Sequence, residues 1–336
     1  MKKDLKLKMS AKQIAEHIGC SVRTVYYEIK RGECMQKEYR YTDYWGERHY
    51  KEVTAYSPDI AEEKYRLELS AKGAPLKLSN DYNLAEYIER RIVDDGLTPG
   101  AVLGEIRRNN LQFTTEIKSV HTIYNYIDKN VFLRLSLQHL PVKCRKKKHK
   151  RKVKASKAPQ GTSIEKRPSD ILLRNIFGHW EMDCVVGTTL KTLLVLTERL
   201  TRKEIIIPIS NKKTVSVVNA LNKLERKYGK LFKNIFKTIT VDNGVEFSDF
   251  EGLEKSIYGN KKRTTVYYCH PYSSYERGTN ERLNREIRRK LPKGTNFNKV
   301  SDKEIKAVED WVNNYPKAVL GYATANEVFE KYISAL

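Results

Sequence analysis

Apolar residues recur at helical spacing through residues 10–31, SAKQIAEHIGCSVRTVYYEIKR: Ile14, Ala15 and Ile18, then Val22, Val25 and Ile29. The pattern predicts two short helices around a tight turn. Ser10 and Ser21 are placed to cap them, since a side-chain oxygen there can accept from the free N–H groups of a first turn. Gly19 supplies the freedom at positive φ that the turn requires. Ala15 is small where two helices would cross, with Val25 beneath it. A helix-turn-helix has this pattern, and its second helix would leave Arg23, Thr24, Tyr26, Tyr27 and Lys30 to face a DNA groove. A plain helical hairpin has the same pattern, and the leading segment MKKDLKLKM is short for a full supporting helix.

Residues 55–93 contain DIAEEKYRLEL and YNLAEYIERRI, charged stretches that read as exposed helices. LTPGAVLGEIRRN then opens with Thr98 and Pro99, good start signals, and sets Val102, Leu103 and Ile106 on one face. After a polar link, Ser119 can cap a helix in SVHTIYNYIDK that carries Ile123, Tyr124 and Ile127. His121 and Asn125 are its DNA-facing candidates. The two segments form a second candidate helix-turn-helix, with a longer link than the first.

From about Phe177 the period shortens to that of strands. WEMDCVVG, TLLVLTE and KEIIIPI are β-rich runs joined by short polar links, which suits an antiparallel meander. VSVVNALNKLERKYG reads as an amphipathic helix, FKTITVDNG and RTTVYYC as further strands, and SYERGTNERLNREIRRKL as a charged helix. The order β-β-β-α-β-(α)-β-α predicts an α/β domain, a mixed sheet with helices packed on it.

Charge narrows the partners. Among 336 residues, 64 Lys and Arg face 41 Asp and Glu, a net charge of +23. Such a surplus points to a polyanion, and nucleic acid fits better than a membrane face. No apolar run is long enough to span a bilayer, and no apolar signal core opens the chain. The five cysteines, Cys20, Cys34, Cys144, Cys184 and Cys269, are scattered without a CxxC pair, which fits a reducing cytosol and argues against disulfides or structural zinc. Residues 143–157 hold ten Lys or Arg and no acid, a self-repelling linker that would lie along phosphates without reading sequence.

Three acids stand out by position. Asp183 lies inside an apolar strand, where alternation sets Glu181 and Asp183 on one face and Trp180, Met182 and Cys184 on the other. An acid there is costly unless a cation offsets it. Asp242 ends a strand, where binding sites of α/β sheets collect. Glu281 lies near the start of the charged helix. Brought together, the three would repel unless divalent cations joined them, and a pair of Mg²⁺ ions (or Mn²⁺) could then serve phosphoryl transfer. Asp242-Asn243-Gly244 also suits an ordinary turn, and Glu281 an ion pair with Arg285. No GxxxxGK[ST] loop is present, so a nucleotide cofactor has no support.

GHWEMD, VDNGVEF, YYCHPYSSYERGTNERLN and LPKGTNF, with SIEKRP upstream and LGYATANEVFE downstream, resemble the signatures of insertion-sequence transposases of the IS-thirty family. WEMDC, DNGVEF and GTNERLNRE are more faintly similar to retroviral integrase cores. The resemblance covers roughly residues 10–333. It implies an RNase-H-like mixed sheet with flanking helices, preceded by all-α helix-turn-helix modules, and an Asp-Asp-Glu triad at Asp183, Asp242 and Glu281. Counting the family's spacing would select Glu276 for the third acid; the RGTNExxN motif selects Glu281, with a longer loop around SIYGNKKR absorbing the difference. His270 stands where an acid is common and Tyr275 where Trp is common. Asn284, Arg285, Arg288 and Arg289 are the phosphate-contacting candidates on the same helix. The implied organisation is a first DNA-binding module at 1–55, a second at 56–140, a basic linker at 141–170 and the catalytic core at 171–336. The implied activity is metal-dependent cleavage and strand transfer on double-stranded DNA, at element ends and a target site, by a homodimer or larger assembly in a prokaryotic cytoplasm, at the nucleoid. A retroviral-type integrase or RNase-H-like nuclease is one rival, though no His-His-Cys-Cys zinc module is found. A non-catalytic DNA-binding regulator is the other.

Overall fold

The computed structural model describes residues 5, 7–71, 76–141, 161–271 and 273–336; at Ala71, Lys77, Ser79, Ser274, Tyr275 and Glu281 it describes the backbone alone. The basic run 143–157, with Cys144, lies outside the described residues. The chain forms two compact units, Met1–Lys77 and Leu78–Leu336.

In the first unit, α1 (Ala11–Ile18) and α2 (Val22–Arg31) are each capped as their sequence suggests. Ser10 accepts from Gln13 N, Ser21 accepts from Thr24 N, and Gly19 between them has φ 78°. Ile14, Ala15 and Val25 are the buried contact between the two helices. A long antiparallel hairpin follows, β1 (Glu33–Thr42) and β2 (Arg48–Tyr56), and then α3 (Pro58–Ala71). The first unit is therefore not all-α as expected, and the hairpin went unforeseen because its strands are exposed along most of their length. With no buried face, there is no apolar alternation to read.

The second unit begins with α4 (Tyr82–Val93), α5 (Pro99–Arg108) and α6 (Val120–Asp128), capped by Asp81, Thr98 and Ser119. Two expectations change here. YNLAEYIERRI is not an exposed helix: Leu84, Ile88 and Ile92 are buried on one side of α4. On α6 the buried aromatic is Tyr126, while Tyr124 is exposed, because one helical turn sets 123, 126 and 127 together.

The sheet has the order β3-β8-β7-β4-β5-β6, from β3 (Thr162–Ser163), β4 (His179–Val186), β5 (Thr192–Glu198), β6 (Glu204–Ile209), β7 (Thr238–Val241) and β8 (Thr265–Tyr268). β4 to β6 form the antiparallel meander, and β7 lies parallel to β4, β8 to β7 and β3 to β8. The crossovers carry α7 (Thr214–Tyr228), α8 (Phe232–Ile235) and α9 (Phe250–Glu254); α10 (Gly278–Lys290), α11 (Asp302–Asn313) and α12 (Ala325–Ile333) complete the chain.

Strand alternation divides the core. Trp180, Met182, Leu194 and Leu196 face Val217, Leu221 and Leu224 of α7. Val185, Leu193 and Val195 belong with Ile287 of α10 and with Ile305, Val308 and Val312 of α11 on the other side. This is a mixed α/β core with helices on both faces. Trp311 and Tyr315, at the end of α11, also pack into the core of α4–α6.

Candidate active site

The face of β4 that turns toward α10 carries Glu181, Asp183 and Val185. α10 answers at matching intervals. Asn280 N donates to Glu181 Oε2 (2.9 Å), Asn284 Nδ2 donates to Asp183 Oδ2 (3.1 Å), and Ile287 joins the apolar cluster of Val185. A strand repeats its face every two residues and a helix about every turn, so the two elements run side by side in register. Glu181 is fully buried and paired with buried Arg199 at 3.2 Å, which leaves Asp183 as the partly open carboxylate of this row.

Asp242 stands just past the C-terminal end of β7, the strand beside β4. Its Oδ1 accepts from Gly244 N at 2.9 Å, the contact of an Asx turn. The turn reading of Asp-Asn-Gly is therefore correct in local geometry, and the turn brings the carboxylate toward Asp183. One guanidinium spans the two acids: Arg277 lies 3.4 Å from Asp183 Oδ1 and 2.8 Å from Asp242 Oδ2. Arg277 also donates to Met182 O, on the same strand as Asp183. Burial pushes the Asp183 carboxyl up from its ordinary range and the charge of Asp242 adds to this, while Arg277 opposes both.

Sequence reasoning passed over Arg277, Glu246 and Lys212. Arg277 lies in a 3₁₀ turn, Ser274–Arg277, just before α10, where a basic residue among many gives no signal of its own. Glu246 is buried beside Asp242: a Cβ added at Gly244 would lie 2.5 Å from Glu246 Oε2 and 2.9 Å from Asp242 Oδ1. Lys212 meets Glu246 at 2.8 Å. Around the aspartates, Asn243 Oδ1, Asn284 Oδ1 and Glu246 Oε2 are buried with no hydrogen-bond partner among the described residues. These are oxygen acceptors without donors.

Glu276 and Glu281 behave differently. Both oxygens of Glu276 are held by His270, Oε1 by the ring at 2.7 Å and Oε2 by the backbone N–H at 2.9 Å. The other ring nitrogen meets Glu165 at 3.0 Å, and the two carboxylates raise the His270 pKa. Glu281 is in the first turn of α10, but its side chain lies outside the described residues, as does that of Tyr275. Among the described residues, no group of three His, Cys, Asp or Glu side chains is arranged to hold a metal.

The candidate DNA contacts divide into exposed and committed groups. Arg23, Thr24, Tyr26, Tyr27 and Lys30 are exposed on α2, as are His121 and Asn125 on α6 and Arg285 on α10. Asn284 is turned to Asp183. Arg288 donates to Val186 O (2.7 Å), and Arg289 donates to Gly96 O and stacks on Trp311 and Tyr315. Those two arginines fasten α10 to its neighbours.

Likeness to known transposases makes this chain an enzyme of the Asp-Asp-Glu transposase/integrase superfamily. No protein-family model matches the chain. It is 31% identical to the transposase for insertion sequence element IS4351 of Bacteroides fragilis, over 98% of this chain and 93% of the relative. It is 34% identical, over 64% of this chain and 59% of the relative, to the probable transposase for insertion-like sequence element IS1161 of Streptococcus salivarius. The transposase InsI for insertion sequence element IS30A of Escherichia coli K12 is 28% identical over 98% of this chain and 81% of its own length. The chain belongs to the insertion-sequence transposase family that includes the IS4351 enzyme. Among the described residues, no helix is long and apolar enough to cross a membrane.

Proposed function

We propose that this chain is a transposase of the IS-thirty group that binds the terminal repeats of its element and cuts and rejoins DNA at Asp183, Asp242 and Glu281. The observation that carries the reading is the convergence of Asp183 and Asp242 on one cation, Arg277. A strand-centre acid and a strand-end acid need not meet in a fold. Here they do, and the unpartnered oxygens of Asn243, Asn284 and Glu246 surround them. Such a hard-oxygen donor set suits Mg²⁺ or Mn²⁺. Asp183 and Asp242 would hold the ions with Glu281, since Glu276 has both oxygens engaged by His270. When bound, the two ions neutralise the carboxylates and stabilise charge on the entering and leaving oxygens.

In the first step a water oxygen bonds to phosphorus at the element end and the 3′-oxygen leaves, taking a proton, to give a 3′-hydroxyl and a 5′-phosphate. In the second, that 3′-oxygen bonds to a target phosphorus, its proton passing to the displaced target 3′-oxygen. Asn284 holds one Asp183 oxygen in place, and Glu181 with Arg199 anchors the strand below it. Helix pairs α1–α2 and α5–α6 are read as helix-turn-helix modules, in regions 1–55 and 56–140, with 141–170 as the link to a core at 171–336. Holding two ends calls for a dimer or larger assembly on DNA.

The test is incubation of the chain with Mg²⁺ and DNA carrying the flanking element ends, scoring nicked and joined products. Asp183→Asn should abolish metal-dependent cleavage and leave DNA binding within about twofold of the parent, as expected when only a transition-state contact is lost. Cleavage that persists in this variant refutes the assignment.

A further inference from the structure

Behind α10, away from the aspartates, lies a cavity of about 380 Å³ lined by Arg174, Arg202, Thr279, Arg282 and Lys317, with Thr98 on its rim. At about 100° per residue, positions 278, 279 and 282 lie on the side of α10 opposite 280, 284 and 287. The cavity is thus separate from the candidate active site, although the same helix forms both.

Three guanidinium groups converge here without an acid. Among the described residues, no carboxylate forms an ion pair with Arg174, Arg202 or Arg282. Arg202 donates to Thr279 Oγ1 (3.3 Å), a neutral partner. The acids that Arg202 senses have other partners: Glu181 is paired with Arg199, and Glu198 accepts from Thr201, Leu200 and Gly178. Lys317 is neutralised by Glu286 at 2.6 Å, so the surplus rests on the three arginines. Clustered like charges in a partly desolvated cavity repel, and an anion relieves them. The N-terminal end of the 13-residue helix α10, at Gly278 and Thr279, lines the same cavity and adds its positive dipole end.

We propose that this cavity is an oxyanion site that takes a phosphate ester. Planar guanidinium forks match phosphate oxygens, and the volume is that of a small-ligand site, with room for one nucleotide unit. The ester could be a phosphodiester of bound DNA or the phosphate of a free mononucleotide; the chemistry is shared, and the experiment separates the sources. The DNA arm rests on the function proposed above, whereas the small-ligand arms do not.

Calorimetric titration of the full chain with inorganic phosphate and with dAMP should show binding weakened at least tenfold by Arg202→Gln or Arg282→Gln. Arg282 makes no hydrogen bond or ion pair among the described residues, so its variant keeps the fold, which thermal melting checks. If a DNA duplex competes with dAMP, the source is the backbone, and the salt slope of DNA binding should fall by about one for each arginine removed. If dAMP binds and DNA does not compete, the site takes a free nucleotide. The proposal is overturned if neither small ligand binds in a way the variants alter and the DNA salt slope of Arg282→Gln equals that of the parent. Asp183→Asn, which tests the cleavage reading, should leave all of these measurements unchanged, so the two readings fail separately.

Discussion

Arg277→Met removes the guanidinium from between Asp183 and Asp242 and keeps most of its volume. At 3.4 and 2.8 Å, Coulomb's law with an effective dielectric constant near 20 gives gross attractions of roughly 5 to 6 kcal/mol per contact. Desolvation offsets most of that. Breaking a buried pair costs about 3–5 kcal/mol and an exposed one under about 1 kcal/mol. Arg277 is 13% exposed and the aspartates 28% and 38%, so the site falls between these limits. The expected loss is about 1–3 kcal/mol in metal-free buffer. With the guanidinium gone the acids repel each other, and a divalent cation can take its place in neutralising them. Thermal melting with EDTA and with increasing Mg²⁺ reads both effects. The variant should melt lower than the parent in EDTA and gain more from Mg²⁺, since ligand stabilisation grows as RT ln(1 + [L]/Kd). A loss below about 0.5 kcal/mol, the scatter expected of a surface substitution, would remove Arg277 as counter-ion. A Mg²⁺ response no larger than the parent's would show that the acids do not share a cation site.

Two further outcomes test the scaffold. Glu204 is fully buried, and burial pushes its pKa up to about 8. The unfolded chain releases this proton near the ordinary carboxyl value while the native state retains it, so the group lowers stability as pH rises between about 4.5 and 8. Glu204→Gln should remove that slope, up to about 1.4 kcal/mol per pH unit, and be most stabilising at pH 8; urea titrations at pH 5 and 8 that give the same difference from the parent would contradict it. A Cβ at Gly104 would lie 2.1 Å from the Tyr322 ring, so Gly104→Ala should cost about 1–3 kcal/mol by overpacking, and an unchanged melting temperature would show that the ring yields freely.

The sequence carried the core well where burial left a period to follow. Asp183 was legible because an acid between Met182 and Cys184 conflicts with its neighbours, and the meander from β4 to β6 was legible because its strands are short, apolar and closely linked. The hairpin β1–β2 was not legible, since its exposed strands carry no alternation. Arg277 escaped notice for a different reason: its role comes from a tertiary meeting of β4, β7 and the turn before α10, and nothing local distinguishes it from Arg282 or Arg285. The arginine-lined cavity was hidden in the same way, since Arg174, Arg202 and Arg282 are spread over more than one hundred residues of the chain.

Trp311 and Tyr315 lodge in the core of the three-helix layer, and Arg289 of α10 binds Gly96 between α4 and α5. That layer and the sheet are therefore clamped by packed aromatic rings. Under the function proposed above, a duplex held by this layer would be presented to Asp183 and Asp242 at an offset fixed by side-chain volume. Changing the length of the covalent tether between layer and sheet should not move the point of scission along the duplex, whereas shaving Trp311 should blur it.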